Sequence, residues 1–442
     1  MPEPIPRPPG PKGRYLVHSP LLGGAGPLVN LPRMARTYGD ISFWQFLHVS
    51  SYFFAHPNEV ESVLVTHHRS FTKGIGTRAN PELFGNGLLT SEGEFWLRQR
   101  RLSQPAFHRT HIAAYGDIMA REAEHMLQGW RGGDELDIHR EMMQTTLAIA
   151  TRTLFGVDLG LQMPVIADAL DAFIRQNAGV NVWQLILKLP TLKRWRYLQG
   201  VRALDKIVYG IIGERRAGGR GDDLLSDLLR AQHTDGGTMS DQQLRDEVMT
   251  MLLAGHETTA LALSWAWFLL ASHPGTQAKL QEEVDRVLSG RLPTAADLAQ
   301  LSYTNDVVRE TLRLYPPAWV ITRMAAEQLE IGGYLVPAGS NVIVSPWVTH
   351  RDLRFFPQPD LFDPERWSAA REQAAPNFAY FPFGGGPRVC IGNSFALMEA
   401  AILLAAVAQR FQISLVPGQT IEPLASITLR PQSGVRVRLR QR

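Results

Sequence analysis

Phe381-Pro382-Phe383-Gly384-Gly385-Gly386-Pro387-Arg388-Val389-Cys390-Ile391-Gly392 carries the only cysteine of the chain and sits directly before a helical pattern running from about Asn393 to Arg410. A thiol so placed lies beside free backbone N–H groups and the positive end of a helix dipole, and both favour thiolate. The glycines let backbone approach a flat ligand closely and point N–H groups at the sulfur. Thiolate is the ligand that pushes electron density toward heme iron and favours O–O cleavage. The plainer reading of a lone cysteine is a buried structural residue, so the neighbours must decide.

Upstream, Ser240-Asp241-Gln242-Gln243 fits a capping box, and the helix it opens should run to about Ser272, where His273-Pro274-Gly275 stops it. Thirty residues at 1.5 Å each span roughly 45 Å, and a helix apolar nearly all round in its second half belongs at the centre of a large helical fold. In its middle stands Ala254-Gly255-His256-Glu257-Thr258-Thr259. A carboxylate there is costly unless paired, hydrated or functional. Thr258 can turn its hydroxyl onto the carbonyl one turn back, loosening the helix and opening a groove. A groove with a carboxylate and a hydroxyl can serve as a proton route, but from the helix alone a kink beside a solvated Glu257 comes first. His256 has no second ligand at metal-site spacing and reads as a structural or pocket-edge residue.

The chain has 442 residues, 45% hydrophobic and 20% charged, enough for a large core. The net charge of +3 is small, no dense basic run is present, and nucleic-acid binding is not indicated. One cysteine allows neither an intrachain disulfide nor a cysteine-held iron–sulfur cluster. The N-terminus lacks the apolar stretch of a signal or anchor, and the run Ala260–Ala271 is too short to span a bilayer; a soluble cytoplasmic protein is expected. Residues 1–12 read as a Pro-rich extended lead-in to one domain covering 1–442. Residues 41–47 and 51–55 look like paired strands, a helix follows from Pro57, residues 92–156 and 160–214 read mostly helical, and residues 217–221 form a surface turn. A helix over Tyr303–Leu314 gives way to a small sheet at 329–331, 334–336 and 341–344. Residues 351–383 show little periodicity, and strand-like pieces fall at 426–429 and 435–439. The fold class is mainly α with minor β.

The pattern Phe383-x-x-Gly386-x-Arg388-x-Cys390-x-Gly392 matches the heme-binding signature of the cytochrome P-450 family, which the chain resembles from end to end. The resemblance implies a cytochrome P-450 fold, with a long central helix over the heme and the cysteine loop preceding a C-terminal helix. It implies heme b (iron protoporphyrin IX) with Cys390 as the iron ligand and Phe383 and Gly392 in the binding loop. Ala254 and Gly255 would leave room for O2, Thr258 would hydrogen-bond it, and Glu257 would help deliver protons. Trp96-Leu97-Arg98-Gln99-Arg100 matches the family's Trp-x-x-x-Arg helix, so Trp96 and Arg100, with Arg323 and Arg388, would hold the heme propionates. Glu310-Thr311-Leu312-Arg313 and Arg366 resemble the structural lock behind the heme. Arg98, Arg101 and Arg109 are either part of a docking face for an acidic redox protein or solvated helix charge.

The implied reaction is insertion of one oxygen atom from O2 into a lipophilic small-molecule substrate, by hydroxylation or epoxidation. Pocket walls would come from Phe71–Leu89, the helix near Ala254, residues 318–321 and the turn near Ile427. No G-x-G-x-x-G opens a βαβ unit, so electrons would come from a separate ferredoxin with its reductase or a flavodoxin-type donor, to a monomer without a membrane anchor. The alternative is a heme-thiolate enzyme that uses peroxide or rearranges its substrate; the Glu257-Thr258 pair argues against it.

Overall fold

The computed structural model describes residues 7–11, 25–46, 48–74, 81–160, 166, 170, 192–218, 221, 223–230, 239–368 and 375–442. Helices of eight or more residues among these are α1 (Pro27–Tyr38), α2 (Gly93–Ser103), α3 (Arg109–Gln128), α4 (Ile138–Leu154), α5 (Leu192–Arg216), α6 (Asp241–Ser272), α7 (Pro274–Leu288), α8 (Ser302–Leu314) and α9 (Asn393–Arg410). Strands β1 (Ile41–Phe46), β2 (Val49–Phe54), β3 (Phe71–Lys73), β4 (Glu135–Asp137), β5 (Ile321–Ala325), β6 (Leu329–Ile331), β7 (Tyr334–Val336), β8 (Asn341–Val344), β9 (Phe411–Leu415), β10 (Pro423–Ala425), β11 (Leu429–Pro431) and β12 (Arg436–Gln441) complete the frame.

The central helix α6 begins where its capping box requires. Ser240 Oγ accepts from Gln243 N at 3.2 Å, and the Gln243 side chain reciprocates on the Ser240 N–H. Its 32 residues end at Ser272. His273 caps that end, but Pro274 does not simply break the chain: it is the first residue of α7, a position suited to a residue with no N–H to donate. The largest core cluster packs α6 among α3, α4, α7, α8 and α9, with Trp267, Leu270, Leu280, Val307 and Leu403 fully buried. Helix α9 spans the residues expected for it.

The sheets differ from expectation in connectivity. The residues read as a small separate sheet contribute β8 to a five-stranded sheet of order β1-β2-β8-β5-β3, in which β8 runs parallel to β2, while β6 and β7 form a hairpin of their own. Near the C-terminus, the piece expected at 435–439 becomes β12, but residues 426–428, whose β-branched Ile427 and Thr428 read as strand, form the turn between β10 and β11. Residues 411–415 and 135–137 add β9 and β4 as the partners of β12. Three-residue strands are too short for a periodicity to show, and β4 breaks the run 92–156 that reads as mostly helical. Parts of the helical expectation for 160–214, of the turn at 217–221 and of the lead-in 1–12 lie outside the described residues.

The aperiodic stretch 351–383 is held by side chains instead of a backbone ladder. Arg313 donates from Nε and Nη2 to the two oxygens of Glu310 at 2.9 and 2.8 Å, with both side chains fully buried. Its remaining donors take the carbonyls of His350, Pro359 and Leu361. Glu310 also accepts from Asp363 N, Trp367 Nε1 and Arg366 Nε. His350 Nε2 accepts the N–H of Phe381 at 2.8 Å, so the lock reaches the first residue of the cysteine loop. A buried ion pair is tolerable only when its remaining hydrogen-bonding capacity is met, and here carbonyls and N–H groups of the irregular segment meet it.

Candidate active site

The cysteine loop folds back on itself. Cys390 N donates to Phe383 O at 3.0 Å, and the N–H of Gly392, the residue capping α9, points at the sulfur. Gly384 and Gly386 have φ of +73° and +64°, a conformation that costs other residues energy. A Cβ on Gly386 would overlap the carbonyl oxygen of Leu64, and one on Gly385 would strike the ring of Phe378. Gly385 and Gly386 therefore permit close approach of protein to protein. Burial pushes Cys390 up, against the opposing pull of the Gly392 N–H and the Arg100 charge. Metal coordination would favour the thiolate form.

Cys390 opens on a pocket of about 550 Å³ with Arg100, Gln104, Phe107 and His108 across from residues 389–391 and 393. Arg100 Nη1 donates to Val389 O at 2.9 Å. Trp96, on α2 with Arg100, carries the Arg388 guanidinium over its ring at 4.4 Å and that of Arg100 at 5.9 Å. The four-residue spacing puts Trp96 and Arg100 on one helix face, and the loop brings Arg388 to it.

Arg323 joins this group from β5. Its strand partner on β3 is Lys73, which the sequence reading missed. Phe71 and Lys73 are both buried with Thr72 between them less so; a lysine on the inward face of a strand was the available signal. Glu92, also missed, accepts from Lys73 N and Arg388. Burial, helped by the Arg388 and Arg323 charges, pushes the Lys73 ammonium down to about 7, and burial with Arg388 lowers Arg323 to about 10. Three cations gathered around one carboxylate, two of them with their ionisation disfavoured, form a receptor for further negative charge such as the two propionates of a heme would supply.

The opposite wall is α6. From Leu244 to Leu270 every residue is buried except Ala254, Gly255, Thr258 and Phe268. The first three form one open patch, and Thr258 Oγ1 donates to Ala254 O at 2.9 Å, the back-bonding expected from the sequence. Glu257 is buried and accepts from Thr428 Oγ1 at 2.6 Å, so it is not the solvated residue of the plain helix-kink reading. His256 is fully buried and bonds Leu252 O through Nδ1 at 2.6 Å, a structural role. A thiol, a cationic cluster and a helix face free of bulk suit an iron porphyrin: Cys390 would hold the metal, while Lys73, Trp96, Arg100, Arg323 and Arg388 would hold the carboxylates. On α2, Arg98 stacks on Phe95 at 5.2 Å and Arg101 is exposed; the side chain of Arg109 lies outside the description.

The family model "Cytochrome P450" matches residues 8–437. Cyclooctatin synthase of Streptomyces melanosporofaciens is 40% identical over 95% of this chain and 92% of its own. Cyclooctat-9-en-7-ol 5-monooxygenase of the same organism is 38% identical over 89% and 86%, and pentalenene oxygenase of Streptomyces avermitilis 34% over 96% of each. The solved structure titled retinoic acid bound cyanobacterial CYP120A1 superposes with a TM-score of 0.88 at 25% identity, covering 99% of this chain and 100% of that one. No helix among the described residues is long and apolar enough to cross a membrane. Family match, fold and the cysteine loop agree: this chain belongs to the cytochrome P450 family and is a monooxygenase with heme iron as its cofactor.

Proposed function

We propose that this P450 inserts one oxygen atom from O2 into a cyclic terpenoid, by hydroxylation or epoxidation, with electrons from a separate ferredoxin and reductase or a flavodoxin-type donor. The observation that carries the substrate class is the set of relatives named for cyclooctatin, cyclooctat-9-en-7-ol and pentalenene, aligned over nearly the whole chain. Leu89 and Ile427 are exposed apolar side chains on segments expected to wall the pocket, and they suit a substrate with little to hydrogen-bond.

Heme b, when bound, supplies the activation of dioxygen, and the protein supplies position, exclusion of water and protons. Cys390 holds the iron from the head of α9. Lys73, Arg100, Arg323 and Arg388, with Trp96, orient the porphyrin through its carboxylates. Phe383 packs against the main core and fixes the loop. Ala254 and Gly255 keep the helix wall thin. Thr258 offers a hydroxyl that can leave its own carbonyl to hydrogen-bond oxygen, and Glu257 next to it holds a proton for transfer.

The test is spectroscopic first and catalytic second. The reduced protein under carbon monoxide should show a strongly red-shifted Soret band that Cys390→Ser abolishes. Cyclic sesquiterpene and diterpene hydrocarbons and alcohols should shift the ferric Soret band, and with O2 and a ferredoxin system should give oxygenated products. Turnover with peroxide but not with O2 and a donor would overturn the monooxygenase assignment for this substrate class.

A further inference from the structure

We propose that Thr428 is a positioning residue for the acid Glu257, coupling the seating of substrate at the neighbouring Ile427 to proton delivery. This rests on the reading of Glu257 as proton carrier and adds to it the group that aims the carboxyl.

The turn between β10 and β11 is fixed at several points. Ser426 O accepts from Trp319 Nε1 at 2.9 Å, and Leu429 N donates to Pro317 O at 2.9 Å. Leu429 O accepts from Trp265 Nε1 at 3.0 Å. Trp265 stands on α6 two turns beyond Glu257, so this turn is docked on the central helix from its own side. Within it, Thr428 is 7% exposed and Ile427 is 49% exposed. Thr428 spends its hydroxyl on Glu257 Oε1 at 2.6 Å, and Glu257 is 6% exposed.

Two consequences follow. A short hydrogen bond in a buried site fixes the carboxyl rotamer, and proton transfer falls steeply when an acid is misaimed. The residue beside Thr428 is a large apolar side chain that the fold leaves uncovered. A substrate pressing on Ile427 therefore moves, or steadies, the backbone that carries the Glu257 anchor. An ill-fitting substrate would disturb the acid without touching it, and electrons would be lost as peroxide.

The experiment compares Thr428→Val, which keeps shape and loses the donor, with Thr428→Ser, which keeps the donor, and sets both beside Glu257→Gln. Thr428→Val should retain the carbon-monoxide Soret band and bind substrate within about twofold. Its product rate should fall about tenfold, with KM little changed and peroxide formed per electron several times higher. Thr428→Ser should restore coupling, and Thr428→Val should add nothing in a Glu257→Gln background. Independently of turnover, the effects of Thr428→Val and Glu257→Ala on the urea midpoint should be non-additive, since each removes the same bond. If Thr428→Val does not incorporate heme, Thr428→Ala takes its place in every measurement. If Thr428→Val stays fully coupled while Glu257→Gln uncouples, the inference is overturned and the role of Glu257 stands. If Glu257→Gln itself stays coupled, both fall.

Discussion

Lys73 and Glu247 grip the same residue from opposite sides: Lys73 Nζ donates to Leu88 O at 2.8 Å, and Glu247 Oε2 accepts from Leu88 N at 3.0 Å. Glu247 is the third of three consecutive charged residues on α6 that all hold this segment. Arg245 donates to the carbonyls of Glu82 and Leu83 at 2.9 and 2.8 Å, and Asp246 accepts from Asn86 N at 2.8 Å. Gly85 and Gly87 let the segment come this close, since a Cβ on either would strike Asp246 or Thr250. The segment expected to wall the pocket is thus clamped to the same helix that carries Glu257 and Thr258.

Removing one jaw should loosen the wall. Glu247→Ala should speed hydrogen exchange at the amides of residues 86–88 by about tenfold, the loss of one hydrogen bond worth about 1–1.5 kcal/mol. Glu247→Gln keeps an acceptor and should preserve most of the protection. Equal exchange in all three proteins, measured by mass spectrometry on peptides covering residues 82–92, would show that Glu247 does not hold Leu88.

Lys73 carries a prediction about pH. Its folded value, about 7, lies below the ordinary 10.5 because burial and two arginines disfavour the charge. Between those values the unfolded chain binds the extra proton, so this group makes the apoprotein more stable as pH rises from 7 toward 10.5; its contribution is lost as pH falls through 7. Glu247 acts in the opposite sense over a lower window. Burial raises it from 4.5 to about 7, and its stabilising contribution is lost as pH rises through 7. Lys73→Met relieves the buried charge and loses the bonds to Leu88. The heme-free protein at pH 6 should gain about 1–2 kcal/mol from this exchange. The heme-loaded protein should instead release heme faster, since Lys73 would face the propionates. Denaturation of the apoprotein at pH 6 and pH 9, with heme transfer to an acceptor protein, reads both.

What the sequence disclosed is what a motif or a long period records. The capping box at Ser240, the 32-residue central helix and α9 stood in the pattern of residues, and so did Cys390, Trp96, Arg100 and Arg388. The pairing of β8 with β2 did not, because strands nearly three hundred residues apart leave no local trace of their partnership. Lys73 and Glu92 were hidden for the same reason: each is unremarkable in its own segment and gains meaning only when β3 pairs with β5 and the cysteine loop folds over α2.

The lock behind the cysteine loop should fail as a unit. Glu310→Ala leaves the Arg313 guanidinium buried without its carboxylate and also strips partners from Asp363 N and Trp367 Nε1. A cost of about 3–5 kcal/mol is expected, enough to prevent heme incorporation. The paired change Glu310→Leu with Arg313→Met removes both charges but leaves the carbonyls of His350, Pro359 and Leu361 without donors, so it should recover only part of the loss. Heme content and urea midpoint of the three proteins decide this. Full recovery by the double variant would show that the irregular segment does not depend on Arg313.

Gly386 is the position in the loop where a methyl group should be hardest to accept. Its φ of +64° strains any other residue by about 1 kcal/mol or more, and the added carbon would meet the Leu64 carbonyl, rigid backbone that cannot swing aside. Gly386→Ala should therefore fold with little heme. Gly392→Ala, at φ −95° with only the Phe107 ring at 3.6 Å, should keep most of it. Soret absorbance per mole of purified protein separates the two, and equal heme content would refute the steric account.

Thr258 offers the sharpest division between structure and chemistry. Its hydroxyl bonds Ala254 O within its own helix at 2.9 Å, and such back-bonding slightly weakens a helix. Thr258→Ala should therefore leave stability within about 0.5 kcal/mol of the parent, with heme content and substrate-induced Soret shift intact. If the hydroxyl leaves Ala254 to hydrogen-bond oxygen, the variant should still consume electrons but release a larger share of them as peroxide. Thr258→Ser, which keeps the hydroxyl, should fall between the two. Stoichiometry of electrons consumed, product and peroxide measures the split, and coupling in Thr258→Ala equal to that of the parent would remove this residue from the proton route while leaving Glu257 and Thr428 in place.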